Sequence, residues 1–215
     1  MIKIRDTDHM EYMEGMEKSD HSIMNKVLKM TDEYDYRRYN AIDVKNVLNK
    51  ETLGAEDLAV LLSPSAEPLL EKMARRAKIE TAKHFGNTVC MFTPLYIANY
   101  CENYCVYCGF NCSNKIRRGK LSIDEIESEY KTISETGLRE ILLLTGESKS
   151  ASPVEYIAEA VSLAKKYFST IGVEVYPMNS DEYAVLRKAG ADFVSVYQET
   201  YNTVKSVSYT HLRAH

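Results

Sequence analysis

Residues 89–112 read VCMFTPLYIANYCENYCVYCGFNC, and the rest of the chain takes its meaning from this stretch. The first ten residues suit a strand over 89–98, with Pro94 expected to interrupt its hydrogen-bond ladder. A loop follows that carries Cys101-x3-Cys105-x2-Cys108, with Cys112 close behind. Thiolates are soft ligands suited to iron–sulfur clusters and to zinc. An electron-transfer cluster normally takes four cysteines, one per iron. Three thiolates on one loop can hold three irons and leave the fourth open, as a substrate-binding metal centre requires. Three other readings stay open at this point, one of them that the cysteines are structural and bind no cluster. A closed, four-cysteine cluster would use Cys112, although the bacterial ferredoxin run has x2-x2-x3 spacing and a following proline. Here the spacing is x3-x2-x3 and Ser113 follows. A structural zinc site usually draws on two separated pairs or a Cys/His set, and there is no second pair. The open cluster is the favoured reading, with Cys90 and Cys112 outside the ligand set.

Downstream, strand and helix patterns alternate. Ser122 and Glu125 have the spacing of a capping box, and Leu121 and Ile126 are placed to staple it. Ile126, Tyr130 and Ile133 share one helical face, and Gly137 ends the helix. A strand is predicted over 140–144. Ser152-Pro153-x-Glu155 then opens a helix with Ile157, Val161, Ala164 and Phe168 on one side. Further strands are predicted over 172–176 and 192–197, separated by a helix from Ser180 to Gly190. Apolar strands separated by helices indicate βα units, a parallel sheet and the α/β class. In such folds the functional loops gather at the carboxyl ends of the strands. Those ends carry the cysteine loop, Thr145-Gly146-Glu147, Pro177-Met178-Asn179 and Gln198-Glu199-Thr200. The polar chemistry therefore falls on one face.

Upstream, residues 1–88 read as a mostly helical extension. Val44, Val47 and Leu48 are spaced for one helix face, as are Leu58, Leu61 and Leu62. Ser63-Pro64 places a capping hydroxyl before a helix-starting proline. The helix that follows carries Leu69, Leu70, Met73 and Ala77, and is expected to run to Lys83, before Gly86-Asn87. Of 215 residues, 45% are apolar and 27% charged, with a net charge of -4. No basic footprint points to nucleic acid. The longest apolar runs, such as 141–144, are too short to span a bilayer. The opening MIKIRDTDHM lacks the apolar region of a signal peptide, so a reducing, cytoplasmic setting is expected. At the other end, 207–215 read VSYTHLRAH, which resembles one frame of a sequencing-adaptor oligonucleotide. The native chain is accordingly expected to break off near Ser206, leaving a truncated core over 89–206 that is inactive or unstable alone.

The motif C-x3-C-x2-C, with aromatic Tyr107 before its last cysteine, resembles the signature of the radical S-adenosylmethionine (SAM) superfamily. The resemblance implies a partial (β/α) TIM-like barrel and two cofactors, a [4Fe–4S] cluster and SAM. It also implies roles: Cys101, Cys105 and Cys108 as cluster ligands, Tyr107 near the adenine, and Gly146-Glu147 at the SAM amino group. Gln198 and Glu199 become candidates for SAM or substrate contacts, and Asn179 a weaker one. FTPLYIANYCENYCVYCGFNCSNKIRRGKL, LLLTGES and VYQETYN are similar to the aromatic amino-acid lyases of that superfamily. They resemble the tyrosine lyase of thiamine thiazole formation, which is favoured, and the hydrogenase-maturation tyrosine lyase shares the Tyr197–Tyr201 stretch. What that implies is cleavage of the Cα–Cβ bond of L-tyrosine to 2-iminoacetate and p-cresol. A thiazole synthase partner and a flavodoxin or ferredoxin-type electron donor follow from the same resemblance. Lys115, Arg117 and Arg118 are placed to meet an acidic donor or simply to face solvent. An electron-transfer protein with a closed cluster is the alternative from another class.

Overall fold

The computed structural model describes residues 15–197, apart from 19 and 21. Contacts divide the chain into two compact units: Asp20–Cys90, and the remainder from Met91 together with the residues up to Ser19.

The first unit is helical: α1 (Ser22–Glu33), α2 (Ala41–Leu48), α3 (Ala55–Leu61) and α4 (Leu70–Phe85). Asn40 starts α2 because its Oδ1 accepts from the Ile42 and Asp43 N–H groups, while Asp43 Oδ2 accepts from the Asn40 N–H. The core is small: Val44, Val47, Val60 and Ala66. Leu58 and Leu62, read from spacing as core residues, are 57% and 71% exposed. On this seven-residue helix Val60 and Asp57 turn inward instead. Asp57 tolerates burial because it accepts from Lys50 Nζ at 2.6 Å and the Gly54 N–H at 2.9 Å. The Lys50 hydrogen bond, followed by that of Gly54, lowers its pKa. The helix expected from Ser63-Pro64 is split. Pro64–Leu69 forms a 3-10 turn containing Pro68, and α4 starts only after it. Proline supplies no N–H for an α-helical bond, so the α geometry begins beyond it. Ser63 does not cap; its hydroxyl donates to Val60 O.

The second unit holds β1 (Phe92–Ala98), α5 (Ile123–Glu135), β2 (Glu140–Thr145), α6 (Val154–Ala164), β3 (Thr170–Glu174), α7 (Ser180–Ala189) and β4 (Phe193–Ser195). The strands lie in the order β1-β2-β3-β4, all parallel. This is the partial (β/α) barrel expected. Successive residues of a strand face opposite sides. Ile141, Leu143, Ile171 and Val173 belong to a core shared with Ile126 and Tyr130 of α5 and with Ile157, Ala160, Val161 and Ala164 of α6. On the opposite parity, Tyr96 pairs with Leu144, Leu144 with Glu174, and Glu174 with Ser195. Along that same face Gly172 makes room for the Phe193 ring, which lies where a side chain would stand.

Pro94 does not break the ladder. It pairs in register with Leu142, and the irregularity falls between Tyr96 and Ala98. Among the described strands β1 has one neighbour, so the missing N–H of Pro94 costs no interstrand bond on the other side. Ser122 and Glu125 form the capping box of α5. The start of α6 differs from expectation, since Pro153 occupies the cap position and Ser152 is buried one residue outside it. Strand β3 begins and ends two residues early, at Thr170 and Glu174. Gly190, with φ of 120°, ends α7, and a side chain there would meet the Lys165 stem.

Two tests follow from this packing. Leu143 is fully buried between the sheet and its helices, so Leu143→Ala should destabilise by about 2–5 kcal/mol in chemical denaturation. Tyr156 donates to Ile97 O at 3.0 Å and Leu121 O at 2.8 Å, tying the end of β1 to the start of α5. Burial, reinforced by Glu125, pushes its hydroxyl up to about 12, against about 10 in an unfolded chain. The raised value means that its contribution is complete below about pH 10 and is lost as pH rises toward the folded value. Stability measured between about pH 9 and 12 should therefore fall, and Tyr156→Phe should flatten that slope while lowering stability at pH 7.

Candidate functional site

The ends of β1 and β2 meet where the cysteine loop leaves the sheet. The Gly146 N–H donates to Ala98 O at 3.0 Å, and the Glu102 N–H to Glu147 O at 2.9 Å. Between these bonds the backbone of Tyr100 and Cys101 crosses directly over Gly146. A Cβ on Gly146 would overlap the carbonyl group of Tyr100 and come within 3.1 Å of Cys101 Cβ. The glycine is thus required by the loop itself. Asn103 Nδ2 donates to Glu147 Oε2, and the Ser148 hydroxyl to Glu102 Oε1 at 2.9 Å.

Cys101, Cys105 and Cys108 are brought together. Burial raises the Cys101 thiol, opposed by the backbone N–H groups of Asn103 and Glu147 that point at its sulfur. Cys105 is pushed up to about 12, first by burial and then by Cys101 and Cys108. The Glu147 carboxylate adds to both shifts. The Cys112 N–H donates to Asn103 O at 2.8 Å. Among the described residues no three His, Cys, Asp or Glu side chains converge as a single metal ion requires. Three neighbouring thiols suit a polynuclear cluster, in which each thiolate binds its own iron. The donor chemistry therefore fits a [4Fe–4S] cluster held at three corners.

The loop is braced internally by amides. Asn111 Nδ2 donates to Cys105 O at 2.8 Å, and its Oδ1 accepts from Ser113. Asn114 Nδ2 reaches Cys108 O and Gly109 O. Asn99 Oδ1 accepts from the Gly119 N–H at 2.7 Å. The Phe110 ring meets Tyr96 of β1 edge-on, with centroids 4.9 Å apart. Burial raises the Tyr96 hydroxyl, with Glu174 and Cys108 contributing.

The remaining expected residues are placed unevenly. Tyr107 is on the loop and 53% exposed. Asn179 precedes α7, where its side chain binds the segment before the helical unit: Oδ1 accepts from the Glu17 N–H and Nδ2 donates to Gly15 O. Lys115 and Arg117 are exposed, whereas Arg118 turns back into the cysteine loop. Gln198, Glu199 and the tail 207–215 lie outside the described residues. Sequence reading missed Asn99, Asn103, Asn111, Arg118 and Glu174. Glu174 had a signal, an acid on the pleat parity opposite the apolar face of its strand. The asparagines had only their density around the cysteines.

Comparison with known proteins agrees with this geometry. The chain is 42% identical over 162 residues to 2-iminoacetate synthase of Escherichia coli, covering 75% of this chain and 43% of that protein. It is 32% identical over 161 residues to 3-methylornithine synthase of Methanosarcina barkeri, covering 73% of this chain and 45% of that one. The crystal structure of HydG, a maturase of the [FeFe]-hydrogenase, superposes with a TM-score of 0.76 at 26% identity, over 86% of this chain and 42% of HydG. The chain thus spans less than half the length of the curated relatives it matches. Residues 95–213 match the profile of the radical SAM superfamily, whose members use a [4Fe–4S] cluster and SAM, and the chain belongs to that superfamily.

Proposed function

We propose that this chain is part of a 2-iminoacetate synthase, a radical SAM lyase that cleaves the Cα–Cβ bond of L-tyrosine to 2-iminoacetate and p-cresol for thiamine thiazole formation. The observation that carries the reading is the three-thiol loop laid across Gly146 at the carboxyl ends of β1 and β2. The 42% identity to 2-iminoacetate synthase supports the choice of substrate.

Cys101, Cys105 and Cys108 would hold the cluster as thiolates, and loading must displace their protons. When bound, the cluster supplies the electron that opens the sulfonium of SAM to a 5′-deoxyadenosyl radical. Glu147 would accept hydrogen bonds from the SAM ammonium, a charge-assisted contact. Asn103 fixes the rotamer of that carboxylate by donating to its Oε2. Tyr96, Leu144, Glu174 and Ser195 present the sheet face on which substrate would lie, with Leu144 buried there. Tyr107 would cover the adenine, and Gln198 and Glu199 would complete the contacts from the β4 end. A thiazole synthase would receive the 2-iminoacetate. A flavodoxin or ferredoxin-type donor would supply the electron, in a cytoplasmic setting. No helix among the described residues is long and apolar enough to cross a membrane.

The test is anaerobic assembly with iron and sulfide in the full-length protein, followed by incubation with SAM, tyrosine and a reductant. Comparable amounts of 5′-deoxyadenosine and p-cresol are expected. Deoxyadenosine without p-cresol would reject tyrosine cleavage, and neither product would reject the reading altogether. Alanine at Cys101, Cys105 or Cys108 should abolish both products, whereas Cys112→Ala should keep them. Gly146→Ala should displace Tyr100 and Cys101 and remove most of the bound iron while circular dichroism stays unchanged.

A further inference from the structure

Arg118 lies ten residues beyond the last of the three cysteines, among three other basic residues of the KIRRGK stretch. Its guanidinium does not face solvent as a basic patch would. Nη1 donates to Asn99 O at 2.7 Å and to Phe110 O at 2.8 Å, and Nη2 donates to Asn111 O at 2.7 Å. Asn99 stands immediately before the loop, and Phe110 and Asn111 two and three residues beyond Cys108. One planar fork thus joins the two sides of the loop neck, and Cys101, Cys105 and Cys108 all lie between its attachment points. Among the described residues Arg118 forms no ion pair. Its charge is shared among neutral carbonyls and remains net positive beside the loop.

Resting on the reading that these cysteines hold a cluster, we propose that Arg118 is the positioning residue of the cluster loop, closing its neck and offsetting the negative charge of its thiolates. Closing the neck limits the spacings open to the three sulfurs before iron arrives, which lowers the ordering cost of assembly. A fixed positive charge favours the reduced, more negative state of the cluster and raises its potential. Lysine keeps the charge but lacks the planar fork, and glutamine loses the charge and most of the donors. The two substitutions therefore separate the roles.

The experiment uses the full chain, reconstituted anaerobically, as wild type, Arg118→Lys and Arg118→Gln, with Arg117→Gln as a neighbouring control. Iron loss to a ferrous chelator and the midpoint potential by redox-titrated electron paramagnetic resonance are measured. Both Arg118 variants should release iron faster by about tenfold, equivalent to about 1.4 kcal/mol. Arg118→Lys should keep the wild-type potential, and Arg118→Gln should shift it negative. Arg117→Gln should match wild type in both. In the metal-free chain, the Arg118 variants should also show faster alkylation of Cys105, a reading available if a variant assembles no cluster. Wild-type rates of iron release and alkylation in Arg118→Gln would overturn the proposal. A wild-type chain that takes up no cluster would instead reject the underlying assignment.

Discussion

The crossing of Tyr100 and Cys101 over Gly146 is the constraint on which the candidate site depends. At that point two backbones approach more closely than any side chain permits. The approach is held by ladder bonds on either side, from Gly146 to Ala98 and from Glu102 to Glu147. It brings Glu147 to Cys101 and Cys105 and gives Cys101 its N–H donors. The same glycine invites another interpretation, that it leaves room for a bound cofactor. The space a side chain would need is taken by Tyr100 and Cys101, so the loop by itself requires glycine there.

A loop of this kind cannot be held by apolar packing. Cys105 is buried and Phe110 leans on Tyr96, but Val106 and Tyr107 are 65% and 53% exposed. Its order comes from hydrogen bonds of Asn99, Asn103, Asn111, Asn114 and Arg118, most of them to backbone carbonyls. Amide side chains suit this work because each both donates and accepts while carrying no charge. Carboxylates in their place would repel the thiolates, and of these five side chains Arg118 alone carries a charge.

Strand and helix order, the parallel sheet and the loop bearing the cysteines were all legible in the sequence. These features follow from hydrophobic period and capping, which are local. Ser122 with Glu125 and the φ of 120° at Gly190 show how directly a cap writes itself into residue choice. What stayed hidden was decided by tertiary partners. Leu58 and Leu62 have the spacing of a core face, yet α3 is too short for spacing to select the side that packs. Pro94 looked disruptive because its having one neighbour among the described strands cannot be read from its own strand. Arg118 looked like surface because its acceptors are carbonyls, which leave no mark in a sequence. The partners of Asn179, Gly15 and Glu17, lie more than 160 residues away in the chain and leave no mark near it.

Parity explains why one sheet serves both stability and chemistry. Residues of one parity in β2 and β3 supply the buried core with α5 and α6, and need only be apolar and of suitable volume. Residues of the other parity run Tyr96, Leu144, Glu174 and Ser195 across four strands. That row is mixed in polarity, and an acid within a short strand is costly unless it meets water, a partner or a ligand. Because a register slip by one residue would exchange the two faces, the core that stabilises the sheet also fixes which side chains occupy the opposite face. The apolar packing behind the sheet is thus the means by which the polar face in front of it is positioned.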